Sequence, residues 1–288
     1  MEVGLMAECT TLIIDIRKSR RYDKKKRSEL QQYLLEIVKK LNLIFEKDLI
    51  FKVTFSAGDE LQGLFENTLA ALMYLRLLEI MVFPVQIRAG IGVGEWTIKV
   101  MDGESTEQDG PTYHRARQAV EEVYNMQTQR FRINSNREKD IQANYLLNVS
   151  WGYLMDQNDN QNMIQLISEI LYPFVSSKES NKYGQTASDI LAIKNQYGIR
   201  KSKIYKSSQM FLEYADIQEP ILVADRLSQE PENSIIKKNI STNISKVVGR
   251  TRQNIDTIMK RGNIIPIRTM DYMALHYIRK YYGGRNDI

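Results

Sequence analysis

Two stretches, Thr11-Leu12-Ile13-Ile14-Asp15-Ile16 and Phe55-Ser56-Ala57-Gly58-Asp59-Glu60, decide how this chain folds. The first belongs to a β-branched apolar run, Cys9 to Ile16, and ends on an aspartate. The second crosses a Gly-Asp turn between the apolar runs 49–55 and 61–65, the pattern of a hairpin with an acidic tip. Between them, Leu30, Leu34, Ile37, Val38, Leu41 and Phe45 recur at helical spacing, with Ser28 as the expected N-cap. Strand, helix, hairpin is an order that brings Asp15 and Asp59 to one edge of a sheet. Two carboxylates there can share a divalent cation and a triphosphate. Taken alone, the first motif reads as a strand end and the second as an ordinary turn; the two together, in this order, point to the acidic site.

Asn67 caps a second expected helix through Leu69, Leu72, Leu75 and Leu78. Residues 85–94 then read as a strand whose alternate glycines permit close backbone approach, and Trp96 to Val100 is expected to pair back on it. Asp109-Gly110-Pro111 breaks the chain before a helix over 115–126. The order β-α-β-β-α-β is the ferredoxin-like split motif. From about Gln142 only helical patterns follow, at 162–174, 186–197 and 244–261. The expected fold class is therefore α+β: a palm domain over 1–135 and an all-α region over 136–288.

With 288 residues, the chain can bury a sizeable core. One cysteine, Cys9, permits no internal disulfide, and with only His114 and His276 a zinc site is excluded in practice. No apolar run approaches the roughly 20 residues that span a bilayer, and the N-terminus lacks the basic start of a secretory signal. A cytoplasmic protein with no membrane partner is expected. The net charge of +5 is unevenly spread: the last 56 residues carry eleven basic side chains against three acidic ones, so the rest is mildly acidic. A basic terminal segment suits a polyanion or a solvated cationic face.

Residues 9–125 resemble class III nucleotidyl cyclase domains and their GGDEF relatives. The resemblance is carried by Asp15-Ile16-Arg17-Lys18-Ser19, Gly58-Asp59-Glu60, the strand 87–95 and the segment 109–117. It implies Mg²⁺ or Mn²⁺ on Asp15, Asp59 and the Ile16 carbonyl. A nucleoside triphosphate would meet the 17–19 backbone, Arg17, Lys18, Ser19 and either Arg115 or Arg117, in a homodimer formed through the palm. Where active purine cyclases carry a base-reading lysine, a ribose-orienting asparagine and a phosphate-stabilising arginine, this chain has Phe55, His114 and Gln118. Those departures favour binding over catalysis. The whole chain resembles the bacterial SatD family, which joins a cyclase-like region to a helix-turn-helix region.

The segment 244–262 reads as that helix-turn-helix: Ile244, Val247 and Val248, a turn at Gly249, then Ile255, Ile258 and Met259. Thr251 caps the second helix and leaves Arg252, Gln253 and Asn254 exposed for base edges, with Lys246, Arg250, Lys260 and Arg261 for DNA phosphates. A weaker match covers 186–205, with Gly198 at its turn and Arg200, Lys201, Ser202 and Lys203 as its face. The preferred expectation is a regulator coupling a nucleotide- and metal-binding palm to DNA. The alternatives are an active nucleotidyl cyclase or oligonucleotide synthase, and a non-catalytic dimerisation protein.

Overall fold

The computed structural model describes residues 8–18, 21–100, 102–177, 183–202, 209–224, 226–227 and 230–283. Its core is a five-stranded sheet in the order β2-β3-β1-β4-β5, built from β1 (Cys9–Ile16), β2 (Leu49–Ala57), β3 (Glu60–Phe65), β4 (Ile87–Gly94) and β5 (Phe131–Asn134). β1 lies antiparallel between β3 and β4, and β5 joins the far edge parallel to β4. This is the ferredoxin-like arrangement expected from the order of elements. The class is α+β.

A continuous apolar run suits β1 because both its faces are covered. Leu12, Ile14 and Ile16 enter the large core beneath α1 (Lys24–Ile44) and α2 (Thr68–Val82). On the other face, Ile13 packs with Ala116 and Val120 of α3 (Pro111–Tyr124). Asn42 of α1 ties the next strand down, bonding both the N–H and the C=O of Val53.

Asn67 caps α2 as expected, accepting from the Ala70 N–H. In α1 the cap is Asp23, accepting from Lys26 N–H at 2.9 Å, and Ser28 sits inside the first turns. The first turn, Lys24 to Arg27, is solvated, so apolar spacing carried no trace of it. Trp96 to Val100 makes a single bridge, Ile98 to Asp109, instead of a strand on β4.

After β5 the chain is helical: α4 (Asp140–Leu146), α5 (Trp151–Asp156), α6 (Asp159–Leu171), α7 (Tyr183–Gln196), α8 (Pro231–Ile235), α9 (Ile240–Val248), α10 (Arg252–Arg261) and α11 (Ile264–Tyr282). Two-residue strands, β6 (Phe174–Val175) and β7 (Ile221–Leu222), pair in parallel and were not anticipated, being too short to leave a period. α2 is buried along its whole length except at Arg76, because α6 and α11 cover the side turned away from the sheet. Among the described residues no helix is long and apolar enough to cross a membrane.

Candidate functional site: an acid-to-base row across the sheet

The site lies on the α3 face of the sheet. Alternation along β1 turns Thr11, Ile13 and Asp15 to that face, where Thr11 meets Thr112 at 3.0 Å, Ile13 meets Ala116 and Val120, and Asp15 meets Tyr124. Thr112, Ala116, Val120 and Tyr124 are successive i, i+4 positions, so one stripe of α3 follows one strand. Glycines bring them this close. A Cβ at Gly90 would lie 2.1 Å from the Ala116 carbonyl oxygen, and one at Gly92 would lie 1.9 Å from that of Thr112.

Register then sets four charged residues side by side. Asp15 pairs with Glu60 on β3 and with Arg88 on β4, while Ala89 pairs with Phe131, which places Arg130 beside Arg88. The row runs acid to base: Glu60, Asp15, Arg88, Arg130. Asp59 stands in the hairpin turn at the acidic end, after Gly58 at φ +64°. Only glycine enters that left-handed region without strain.

Electrostatics follow the row. Burial pushes the Asp15 carboxyl up, and Asp59 and Glu60 add to that, against a hydrogen bond with Tyr124 and the charge of Arg88. Burial acts on Glu60 in the same direction, but Arg117 and Ser56 outweigh it and hold that carboxyl below its ordinary range. Arg117 grips Glu60 with both Nη atoms, at 2.5 and 2.7 Å. The Tyr124 hydroxyl is pushed up to about 12, by burial first and then by Asp15. Its ring lies 4.3 Å from the Arg88 guanidinium carbon.

The expected nucleotide ligands separate. Arg117 is committed to Glu60, beside the acidic end. Arg115, on the opposite flank of α3, donates to the Val93 carbonyl at 2.6 Å and lines a cavity of about 470 Å³ with Gln118, Arg132, Asn134 and Asn136. Arg17 donates to Gln86 Oε1 at 2.8 Å, and Lys18 occupies a turn at φ +59°. Ser19 lies outside the described residues. Arg88, Tyr124 and Arg130 were missed. Arg88 had a signal, since it shares the alternation of Gly90, Gly92 and Gly94, whereas Arg130 had none.

Asp15 and Asp59, the expected cation ligands, meet at the acidic end, where the Asp59 charge acts on the Asp15 carboxyl. Among the described residues no three His, Cys, Asp or Glu side chains cluster as a metal site, so further ligands would come from backbone, ligand or water oxygens. The three positions that purine cyclases use for catalysis are engaged elsewhere. Phe55 packs against the α1 and α2 core, His114 Nε2 sits 3.2 Å from Asp109 on the surface, and Gln118 bonds Glu122 and Asn134.

In the helical region α9 ends at Gly249 in the left-handed conformation, and Thr251 caps α10 by accepting from the Asn254 N–H. Ile255 and Met259 face inward, while Arg252, Gln253, Asn254, Thr257, Lys260 and Arg261 are exposed, as are Lys246, Arg250 and Thr251. The weaker match at 186–205 differs: residues 197–202 are not helical, and Lys203 lies outside the described residues. Arg200 there donates to the Lys194 and Asn195 carbonyls, and Lys201 to those of Met155 and Gln157. Arg200 and Lys201, two of the four residues of that expected face, therefore hold the fold.

Fold and site together define an α+β palm protein with a helical extension. A model of the SatD family matches residues 10–210, and the chain belongs to that family. The match stops short of α9 and α10. Among solved structures, the structure of a bacterial light-regulated adenylyl cyclase is similar at 15% identity, covering 44% of this chain and 75% of that one with a TM-score of 0.31. No curated protein matches.

Proposed function

We propose that this chain is a regulatory protein whose palm holds a nucleotide with a divalent cation and whose α9–α10 pair contacts DNA. The observation that carries the reading is the row Glu60, Asp15, Arg88, Arg130. Carboxylates at one end suit a cation, arginines at the other suit phosphate, and a metal–nucleotide presents both. The residues at positions 55, 114 and 118 are committed to packing or surface bonds, which supports binding without turnover. Occupancy of the palm would change DNA affinity only as far as the nucleotide prefers one of two arrangements of the chain.

The DNA half rests on α10. It presents Arg252, Gln253 and Asn254 at its exposed N-terminal end, the residue types that bond base edges. The test is fluorescence anisotropy of the full chain on labelled fragments of the source genome, with and without nucleoside triphosphate and Mn²⁺. Phosphate contacts by Lys246, Arg250, Lys260 and Arg261 imply an affinity loss of about 100-fold between 50 and 200 mM salt. Arg252→Ala should cost at least about tenfold. Salt-independent binding, or an unchanged affinity in Arg252→Ala, removes α10 as a DNA interface. Production of a cyclic or oligomeric nucleotide that is lost in Asp59→Ala would overturn the non-catalytic palm.

A further inference from the structure

Arg130 is the part of the row that a cation site does not explain. It is 6% exposed, and its Nη1 donates to the Gln129 and Met126 carbonyls at 3.1 and 3.5 Å. Its Nε is buried without a partner. Arg17 and Arg88 share that condition, each with a buried and unpartnered Nε. The charges of both act on Arg130, lowering its proton affinity after burial has done so. Three unmet donors on three neighbouring cations are a costly arrangement without an anion to receive them.

The Arg130 guanidinium also lies 4.6 Å from the ring of Trp151, on α5. Asn148, in the turn before α5, accepts from the N–H groups of Arg130 and Phe131 at 2.6 and 3.1 Å. The basic end of the row is thus fixed against the first helices beyond the sheet. Asp15 and Arg130 are two strand spacings apart, about 10 Å. That spacing is between backbones, and an anion with several phosphates in line can meet a cation on Asp15 and the Arg130 side chain at once.

Resting on the nucleotide reading above, the geometry points to a linear polyphosphate as the group this site recognises, with Arg130 holding its far end and Trp151 closing over Arg130. The polyphosphate is carried by a nucleoside triphosphate or is free as tripolyphosphate. Arg130 is then a specificity-determining residue that counts phosphates, and Trp151 reports occupancy to the helical region.

The test uses the full chain with Trp96→Phe, which leaves Trp151 as the sole tryptophan. ATP, tripolyphosphate and AMP are titrated with Mg²⁺ by calorimetry and by Trp151 fluorescence. ATP or tripolyphosphate should bind at least tenfold tighter than AMP and shift the fluorescence. Arg130→Gln and Arg130→Lys should each bring triphosphate affinity toward that of AMP, with melting curves confirming that they fold. Equal binding of ATP and tripolyphosphate makes the free anion a ligand in its own right; tighter ATP makes it the nucleotide, and both support the proposal. Triphosphate bound with undiminished affinity by both variants, with silent Trp151, overturns the role of Arg130 while the nucleotide reading stands. Calorimetry that detects none of the three ligands removes that reading as well.

Discussion

Asp15 is an acidic side chain held in the fold against its own ionisation. Its carboxyl is raised by burial, with Asp59 and Glu60 adding to the effect. A carboxyl raised in the folded state favours its protonated form there. Its stabilising contribution is complete below the unfolded-state value, near about 3.9, and is lost as pH rises through the folded value. At neutral pH the ionised Asp15 therefore weighs against folding, unless a cation offsets the charge. Asp15→Asn keeps the shape and an acceptor for Tyr124 while removing that charge. Thermal melts should show the variant more stable than the parent by about 1–4 °C at pH 7 and equal to it at pH 3. Metal-dependent nucleotide binding should disappear in the same protein. A parent and variant that melt together at pH 7 would mean that the acidic end carries no electrostatic strain.

The glycine stripe of β4 makes the row possible, because it lets the α3 backbone rest directly on the sheet. At Gly92 an added Cβ would meet the Thr112 carbonyl oxygen at 1.9 Å and the Ala116 nitrogen at 2.4 Å. Both are backbone atoms of a helix and cannot swing aside. Gly92→Ala should therefore destabilise the protein by about 3 kcal/mol or more, and the displaced α3 should weaken nucleotide binding beyond the stability loss. Gly152 in α5 is the control, since nothing lies within 4 Å of its added Cβ. Gly152→Ala should stabilise by about 0.5–1 kcal/mol, and urea denaturation of both variants reads the contrast. That β4 approaches something closely was legible in Gly90, Gly92 and Gly94, and the fold order was legible in the alternation of apolar periods. What could not be read was the exposed start of α1, where four basic residues carry no periodicity, and the split of Arg115 from Arg117. Two residues apart on a helix differ by about 200° in direction, so a motif containing both could not say which faced the acidic hairpin.

The chain as a whole is joined by charges that no local pattern announces. Arg268 counts among the basic residues of the terminal segment, yet it is fully buried and paired with Glu169 of α6. Arg76 of α2 reaches Glu169 at 2.7 Å and Asp271 of α11 at 2.5 Å. Residues 76, 169, 268 and 271 come from three distant segments, and only the packing of α6 and α11 on α2 unites them. Two cations and two anions balance in this network. Glu79, one turn along α2 from Arg76 and 7% exposed, adds a fifth group. Burial raises its carboxyl to about 8, with Asp271 adding to the rise and Arg76 opposing it. Near neutral pH it is therefore mostly protonated, and the network stays neutral. Its contribution to stability is complete below the unfolded value, about 4.3, and is lost progressively as pH rises through about 8. Glu79→Gln supplies an uncharged side chain of the same shape at every pH. The variant should match the parent at pH 4 and exceed it by a few kcal/mol, roughly 3–5, at pH 8.5. Chemical denaturation at the two pH values measures this. If the parent is as stable as the variant at pH 8.5, Glu79 ionises without strain, and α2 is not held to α11 by a charge-balanced core.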